Sequence, residues 1–109
     1  MRKNKREVAL NQVDQLLTEL FDELTSAKAK AAVQRAYNTI HRQKSLNMSY
    51  KMVPDAITTL KKEFSHLSLT KQVRFTRAQE ELVSRLTVFT RKAFQHGFEG
   101  LMFINVWSG

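Results

Sequence analysis

Apolar residues recur at intervals of three and four positions in four separate segments of the chain, the spacing of one buried face of a helix. The four stripes are Val13, Leu16, Leu17, Leu20, Phe21 and Leu24; Ala29, Ala32, Val33, Ala36, Tyr37 and Ile40; Ala56, Ile57, Leu60, Phe64 and Leu67; and Leu82, Leu86, Phe89 and Ala93. Mostly polar residues separate these positions. The pattern predicts helices over about 5–24, 26–44, 54–70 and 77–96, followed by a tail over 97–109.

The ends of the first three helices are predicted from phase and from proline. The first two stripes are out of phase across Thr25 and Ser26, so a straight helix would place them on different faces. A turn there lets both stripes face one core. Residues 45–53 predict a polar linker, and Pro54 suits the first turn of the third helix, where its missing N–H would have no partner in any case.

The fourth helix has signals for both ends. Thr76 is a candidate N-cap, and Gln79 follows it at the spacing of a capping box. Glu80 and Glu81 come next, where the positive end of the helix dipole favours carboxylates. Gly97 is a suitable residue for the C-terminal stop.

Composition supports an all-helical fold. The chain has 109 residues with three glycines, one proline and no cysteine, so it offers little material for hairpins and none for disulfides or thiolate metal sites. Short connections make successive helices antiparallel. We therefore expect a single domain over 1–109, an antiparallel four-helix bundle. No stretch resembles a signal segment or approaches the roughly 18 apolar residues of a membrane span, so we expect a cytoplasmic protein.

Positive charge is concentrated after residue 24. The formal net charge is +8, although residues 1–24 carry four basic and five acidic side chains. Lys28, Arg35 and Arg42 recur every seven positions and share one face of the second helix. The simplest interpretation is a solvated face. A surface of one sign also favours an anionic partner, either nucleic acid or the anionic inner leaflet of a membrane.

Nucleic-acid binding is one alternative for this face. Gln34, Asn38 and Gln43 are polar residues that could read bases beside it. In helix-turn-helix folds, however, a tight turn that often contains glycine joins steeply crossed helices, and no glycine separates the helices here. The basic face thus supports a small basic nucleic-acid-binding helical regulator, but the missing glycine turn does not, and this function is kept as the alternative. A helical adaptor that binds another soluble protein is a further one.

The sequence contains no recognisable catalytic or metal motif. His41, His66 and His96 fall in three separate segments, without the paired spacing of a zinc site. Glu80 and Glu81 are adjacent on a helix and point in different directions, so they do not form a pair of catalytic carboxylates. There is no glycine-rich phosphate loop and no nucleophile elbow. We expect no enzymatic activity, no cofactor and no metal.

The tail is unusually apolar for a chain end. Its large apolar side chains are Phe98, Leu101, Met102, Phe103, Ile104, Val106 and Trp107. Apolar surface seeks burial, so we expect the tail to pack back on the hairpin of the last two helices. The competing interpretation leaves part of it available to a membrane partner.

One run of residues resembles a known family. Arg74, Phe75 and Thr76 begin a run of the form R-F-T-x-x-Q-E-E-L-V-x-x-L, and Gly97-Phe98-Glu99-Gly100-Leu101 follows at the matching distance. Both features are similar to the last helix of the immunity proteins for class IIa (pediocin-like) bacteriocins. The resemblance covers about a quarter of the chain.

The resemblance implies a function and a partner. Proteins of this family are cytosolic four-helix bundles without catalytic activity, which protect the cell that produces the bacteriocin. They engage the membrane components of the mannose phosphotransferase system from inside once the toxin has bound, and do not bind the toxin tightly themselves. Their C-terminal half carries specificity, which here implies a partner surface of Val73, Arg74, Phe75, the fourth helix and the apolar tail. The basic patch would face the inner leaflet.

Overall fold

The structure, a computed structural model, describes residues 5–94, and four α-helices account for most of that part of the chain. They are α1 (Lys5–Glu23), α2 (Ala27–His41), α3 (Leu46–Leu69) and α4 (Arg77–Phe94). The all-α fold is therefore confirmed. Residues 95–109, which include the predicted end of the fourth helix and the tail, lie outside the described residues.

Side-chain contacts show that α4 runs antiparallel to both α1 and α3. Gln79, near the start of α4, donates to the carbonyl of Glu23 at the end of α1 (2.8 Å). The Tyr50 hydroxyl, near the start of α3, donates to the Ala93 carbonyl near the end of α4. Helix α2 packs most extensively on α3, and α1 packs most extensively on α4. The four helices thus form a ring in chain order around one core.

The core contains apolar side chains from all four helices. Its most completely buried members are Val13, Leu17, Leu20, Val33, Ile40, Val53, Leu60 and Leu86. Each large apolar side chain of this kind stabilises the fold by roughly 1.5–3 kcal/mol. The predicted stripes of α1, α2 and α3 are buried except at Phe21, which is half-buried, and Tyr37, which is exposed.

Helix α4 turns a slightly different face to the core than its apolar stripe predicts. Leu82 and Leu86 are buried as predicted, but Phe89 and Ala93 are only partly buried. Thr90 and Phe94 are buried instead. The buried residues follow a single row with a spacing of four, and this row passes through a threonine that a search for apolar residues omits.

The predicted start of the third helix at Pro54 is wrong. Helix α3 begins at Leu46, so Pro54 lies inside it and the predicted linker is helical. Ser45 is the N-cap and accepts a hydrogen bond from the Met48 N–H (3.2 Å). The extra turns are stabilised because Val53 is buried and Tyr50 packs its ring on Phe94, 4.6 Å between centroids.

Helix α2 is shorter than predicted. It begins after the N-cap Ser26, whose hydroxyl accepts from the Ala29 N–H (3.2 Å), and it ends at His41 rather than at residue 44. Arg42 is the C-cap. The turn between α2 and α3 therefore spans only 42–45, and it leads directly to Ser45 as the cap of the next helix.

The end of α3 sets the course of the chain towards α4. Lys71 adopts a left-handed backbone conformation (φ 62°). The Gln72 N–H donates to the Leu67 carbonyl (2.9 Å), and the Lys71 N–H donates to the Ser68 carbonyl (3.1 Å). These two bonds form a Schellman motif with lysine at the position where glycine is usual. The motif reverses the chain and leads into residues 73–76.

Candidate functional site

Most of the predicted partner loop, residues 73–75, packs against the core. Phe75 stacks on Phe64 of α3, with ring centroids 4.6 Å apart and planes inclined by 18°. Val73 is also partly buried against the core. Arg74, between them, is exposed. The two apolar residues therefore anchor the loop, and Arg74 is the member that is free to contact a partner.

A capping box fixes the position of this loop at the start of α4. Thr76 Oγ1 accepts from the Gln79 N–H (3.1 Å), and Gln79 Oε1 accepts from the Thr76 N–H (2.9 Å), as the sequence predicts. The spacing does not predict the further bond from Gln79 Nε2 to the Glu23 carbonyl. Gln79 is consequently buried and ties the loop to the end of α1.

Two of the three predicted basic-patch residues have partners. Arg35 makes a two-point contact with Glu63 of α3, Nη2 to Oε1 and Nε to Oε2, both at 3.2 Å. Lys28 Nζ donates to Gln72 Oε1. Both residues line the groove between α2 and α3. Glu63 offsets part of the local positive charge, so the patch is less basic than the sequence indicates.

Arg42 is separate from the other two members of the patch. It is the exposed C-cap of α2 and is not one of the residues that line the α2–α3 groove. The structure therefore brings Lys28 and Arg35 together on one groove and leaves Arg42 at the end of the helix.

A second basic cluster lies beside the first, since Lys62 and His66 line both grooves, and the prediction did not include it. Its members, which line a groove between α3 and α4, are Lys61, Lys62, His66 and Arg91. Within residues 5–94 the side chains of these four make no hydrogen bond or ion pair. The sequence signal that could have found them is the adjacent pair Lys61-Lys62 beside the core residue Leu60.

The two described histidines have different surroundings. His41 Nε2 is 2.7 Å from Asp14 Oδ1, and its ring stacks on Tyr37 at 4.1 Å between centroids, so it links α2 to α1. His66 is exposed at the α3–α4 groove. His96 lies outside the described residues. Among residues 5–94 no group of three or more histidine, aspartate or glutamate side chains could hold a metal ion.

The predicted tail residues Phe98, Leu101, Met102, Phe103, Ile104, Val106 and Trp107 all lie outside the described residues. Their packing on the last hairpin stays a prediction. In the described part of the chain, none of the helices has the length and apolar character needed to cross a membrane.

Comparison of the chain with protein-family models, with curated proteins and with solved structures gave no match.

Proposed function

We propose that this protein is an immunity protein that protects its cell against a pediocin-like bacteriocin. It acts from the cytosolic side on the membrane components of the mannose phosphotransferase system once the bacteriocin has bound them. The observation that carries the proposal is the run R-F-T-x-x-Q-E-E-L-V-x-x-L over residues 74–86, followed by the spaced glycines Gly97 and Gly100. Capping chemistry explains only Thr76 and Gln79 within that run.

The described fold agrees with this proposal in two respects. The run lies on the last helix of a four-helix arrangement, the position it has in the resembling family. Its first residue, Arg74, is exposed on a loop whose neighbours are held by packing. Because packing already holds the backbone of this loop, binding through Arg74 has to order only its side chain.

The test is protection of living cells. We expect a sensitive strain that expresses this chain to resist at least one member of a panel of class IIa bacteriocins and to stay sensitive to unrelated pore formers. We also expect no tight binding between purified bacteriocin and purified protein. Sensitivity to every class IIa member at normal protein levels would overturn the proposal, and tight direct binding of toxin would overturn its mechanism.

Arg74 offers a clean variant for the same assay. Arg74→Ala should reduce protection without changing stability, since exposed side chains contribute little to the fold. Lys51→Ala is the matched control, because Lys51 is also exposed and basic but lies on α3, outside the expected partner surface. Phe75→Ala is less informative, since loss of its stack on Phe64 destabilises the protein. Equal protection by the Arg74 and Lys51 variants would remove the loop from the partner surface.

The tail is tested by exchange. Replacing residues 98–109 with those of another immunity protein of the family should change which bacteriocin is resisted. Trp107→Ala should lower protection while the protein remains folded and abundant. If neither change alters protection or specificity, the tail has no part in recognition.

A nucleic-acid-binding regulator makes a different prediction. Such a protein would be retained on DNA, and the retention would fall steeply as salt is raised. It would give no protection against bacteriocins. The two functions are therefore separated by a DNA-retention assay run beside the protection assay.

A further inference from the structure

The groove between α3 and α4 has the features of an anion site. It is an open groove of about 570 Å³ lined by residues of both helices. Lys61, Lys62 and His66 line it from α3, and Arg91 lines it from α4. Among the described residues that line the groove none is acidic. The nearest acidic residues along the two helices, Glu63 on α3 and Glu81 on α4, do not line it. Glu63 lines the α2–α3 groove, which shares Lys62 and His66 with this one.

The basic residues of this groove differ from those of α2 because their side chains have no partner in residues 5–94. Lys28 and Arg35 already bind Gln72 and Glu63. Unpaired cations that line one groove from two helices repel one another, and an anion in the groove relieves that repulsion.

A buried hydroxyl at the same groove gives the second, independent observation. Thr90 lines the groove, is only 4% exposed, and is the one residue in the described chain with a buried side-chain polar atom that lacks a hydrogen-bond partner. Thr87, one turn earlier on α4, donates its hydroxyl to the Val83 carbonyl at 2.8 Å. Thr39 and Thr70 use their hydroxyls in the same way on other helices. Thr90 therefore keeps a hydrogen-bond donor that nothing in this part of the chain uses.

Phosphate groups fit this combination of donors. A guanidinium offers two parallel N–H donors to phosphate oxygens, ammonium groups add compact charges, and a hydroxyl completes the hydrogen bonding. The volume exceeds that of a phosphate ion and leaves room for the alcohol to which it is esterified. We propose that the α3–α4 groove binds a phosphate ester through Arg91, Lys61, Lys62 and the Thr90 hydroxyl. The inference does not rest on the function proposed above, and it requires that the tail, wherever it packs on the last hairpin, leaves this groove open.

The test is a titration of the full chain followed by amide chemical shifts. Glycerol 3-phosphate is the soluble probe, and sodium chloride at equal ionic strength is the control. We expect saturable shifts confined to α3 around residues 58–66 and α4 around 87–91. Vesicles of phosphatidylglycerol with phosphatidylcholine, compared with phosphatidylcholine alone, provide the lipid arm. Saturable shifts with the soluble ester identify the ligand as a free phosphate ester. Binding to the anionic vesicles alone identifies it as a lipid headgroup.

Three variants separate the site from general positive charge. Arg91→Gln should weaken binding about tenfold, since it removes charge-assisted hydrogen bonds. Arg85→Gln changes the charge of the same helix equally, at a residue that does not line the groove, and should have little effect. Thr90→Val should weaken binding about fivefold and raise the unfolding temperature of the free protein, because it removes a buried polar group that has no partner.

Three results would overturn the proposal. One is the absence of saturable shifts with both the ester and the anionic vesicles. Another is an equal response to chloride. The third is an equal loss of binding in the Arg85 and Arg91 variants, which would reduce the effect to the net charge of the protein.

Discussion

Gln79 bonds to two helices at once. Its carbonyl oxygen caps α4 by accepting from the Thr76 N–H, and its amide nitrogen donates to the Glu23 carbonyl at the end of α1. A glutamate would serve the first bond equally well but could not donate in the second. The choice of glutamine at this buried position thus has a physical reason that helix capping alone does not supply.

Gln79→Glu therefore isolates the bond between helices. The variant keeps the capping box and adds a carboxylate that the helix dipole favours. It leaves the Glu23 carbonyl without its donor, so we expect the free energy of unfolding to fall by about 1–3 kcal/mol at neutral pH. Urea denaturation followed by circular dichroism measures this.

The matched variant is Thr76→Ala, which removes the cap and leaves the Gln79 amide in place. It should cost about 0.5–2 kcal/mol. An unchanged free energy of unfolding in Gln79→Glu would mean that the contact with α1 contributes nothing, and that only the cap matters.

The residue-scale signals show where a sequence can predict contacts. The Thr76 and Gln79 pair was predictable because both bonds lie within one turn of chain. The donation to Glu23 was not, since it depends on how α1 and α4 meet. Likewise Lys71 carries no mark of a left-handed conformation, which glycine or asparagine would have given.

At the scale of elements, α3 shows how tertiary packing overrides a local signal. Pro54 lies inside the helix, where it cannot donate to the Tyr50 carbonyl and its ring crowds that group. The turn before it is nevertheless helical because Ser45 caps it and Val53 enters the core. The sequence predicted the apolar face of the later turns correctly, but it could not weigh the proline against those contacts.

Pro54→Ala should consequently stabilise the protein. Proline inside a helix costs about 3 kcal/mol relative to alanine, so we expect the free energy of unfolding to rise by roughly 1–3 kcal/mol. At the first turn of a helix the same change would have little effect. Thermal and urea denaturation distinguish the two cases.

Ser45→Ala gives the companion measurement. If α3 begins at Leu46, loss of this cap should cost about 0.5–2 kcal/mol. If neither Ser45→Ala nor Pro54→Ala changes the free energy of unfolding, the third helix begins at the proline, as the sequence predicts.

At the scale of the whole molecule, one core joins all four helices, and Leu86 lies in it at 1% exposure. Leu86→Ala should lower the free energy of unfolding by about 2–5 kcal/mol. Because the core is shared, the loss should appear in a single transition that far-ultraviolet and near-ultraviolet signals report together. Val88→Ala on the same helix is the control, since Val88 is 44% exposed and the change should stay within about 0.5 kcal/mol. Two separate transitions in the Leu86 variant would contradict a common core.

The basic cluster also emerges only at this scale. Lys61 and Arg91 stand far apart in the sequence, and they share a groove because α3 and α4 pack with particular faces outward. A charge pattern along one helix predicted Lys28, Arg35 and Arg42 instead, and it could not foresee that Glu63 of another helix would meet Arg35. Periodicity therefore predicts which faces are buried, whereas charge convergence depends on the rotation of each helix.

The contact between Glu23 and Gln79 has a consequence for the order of folding. The two residues are 56 positions apart, whereas Ser49 and Ile40, which join α2 to α3, are only 9 apart. Closing a longer loop costs more chain entropy. We expect the α2–α3 hairpin to form early and the seam between α1 and α4 to close last. Substitutions that weaken the contacts between α1 and α4 should then raise the unfolding rate more than they lower the folding rate.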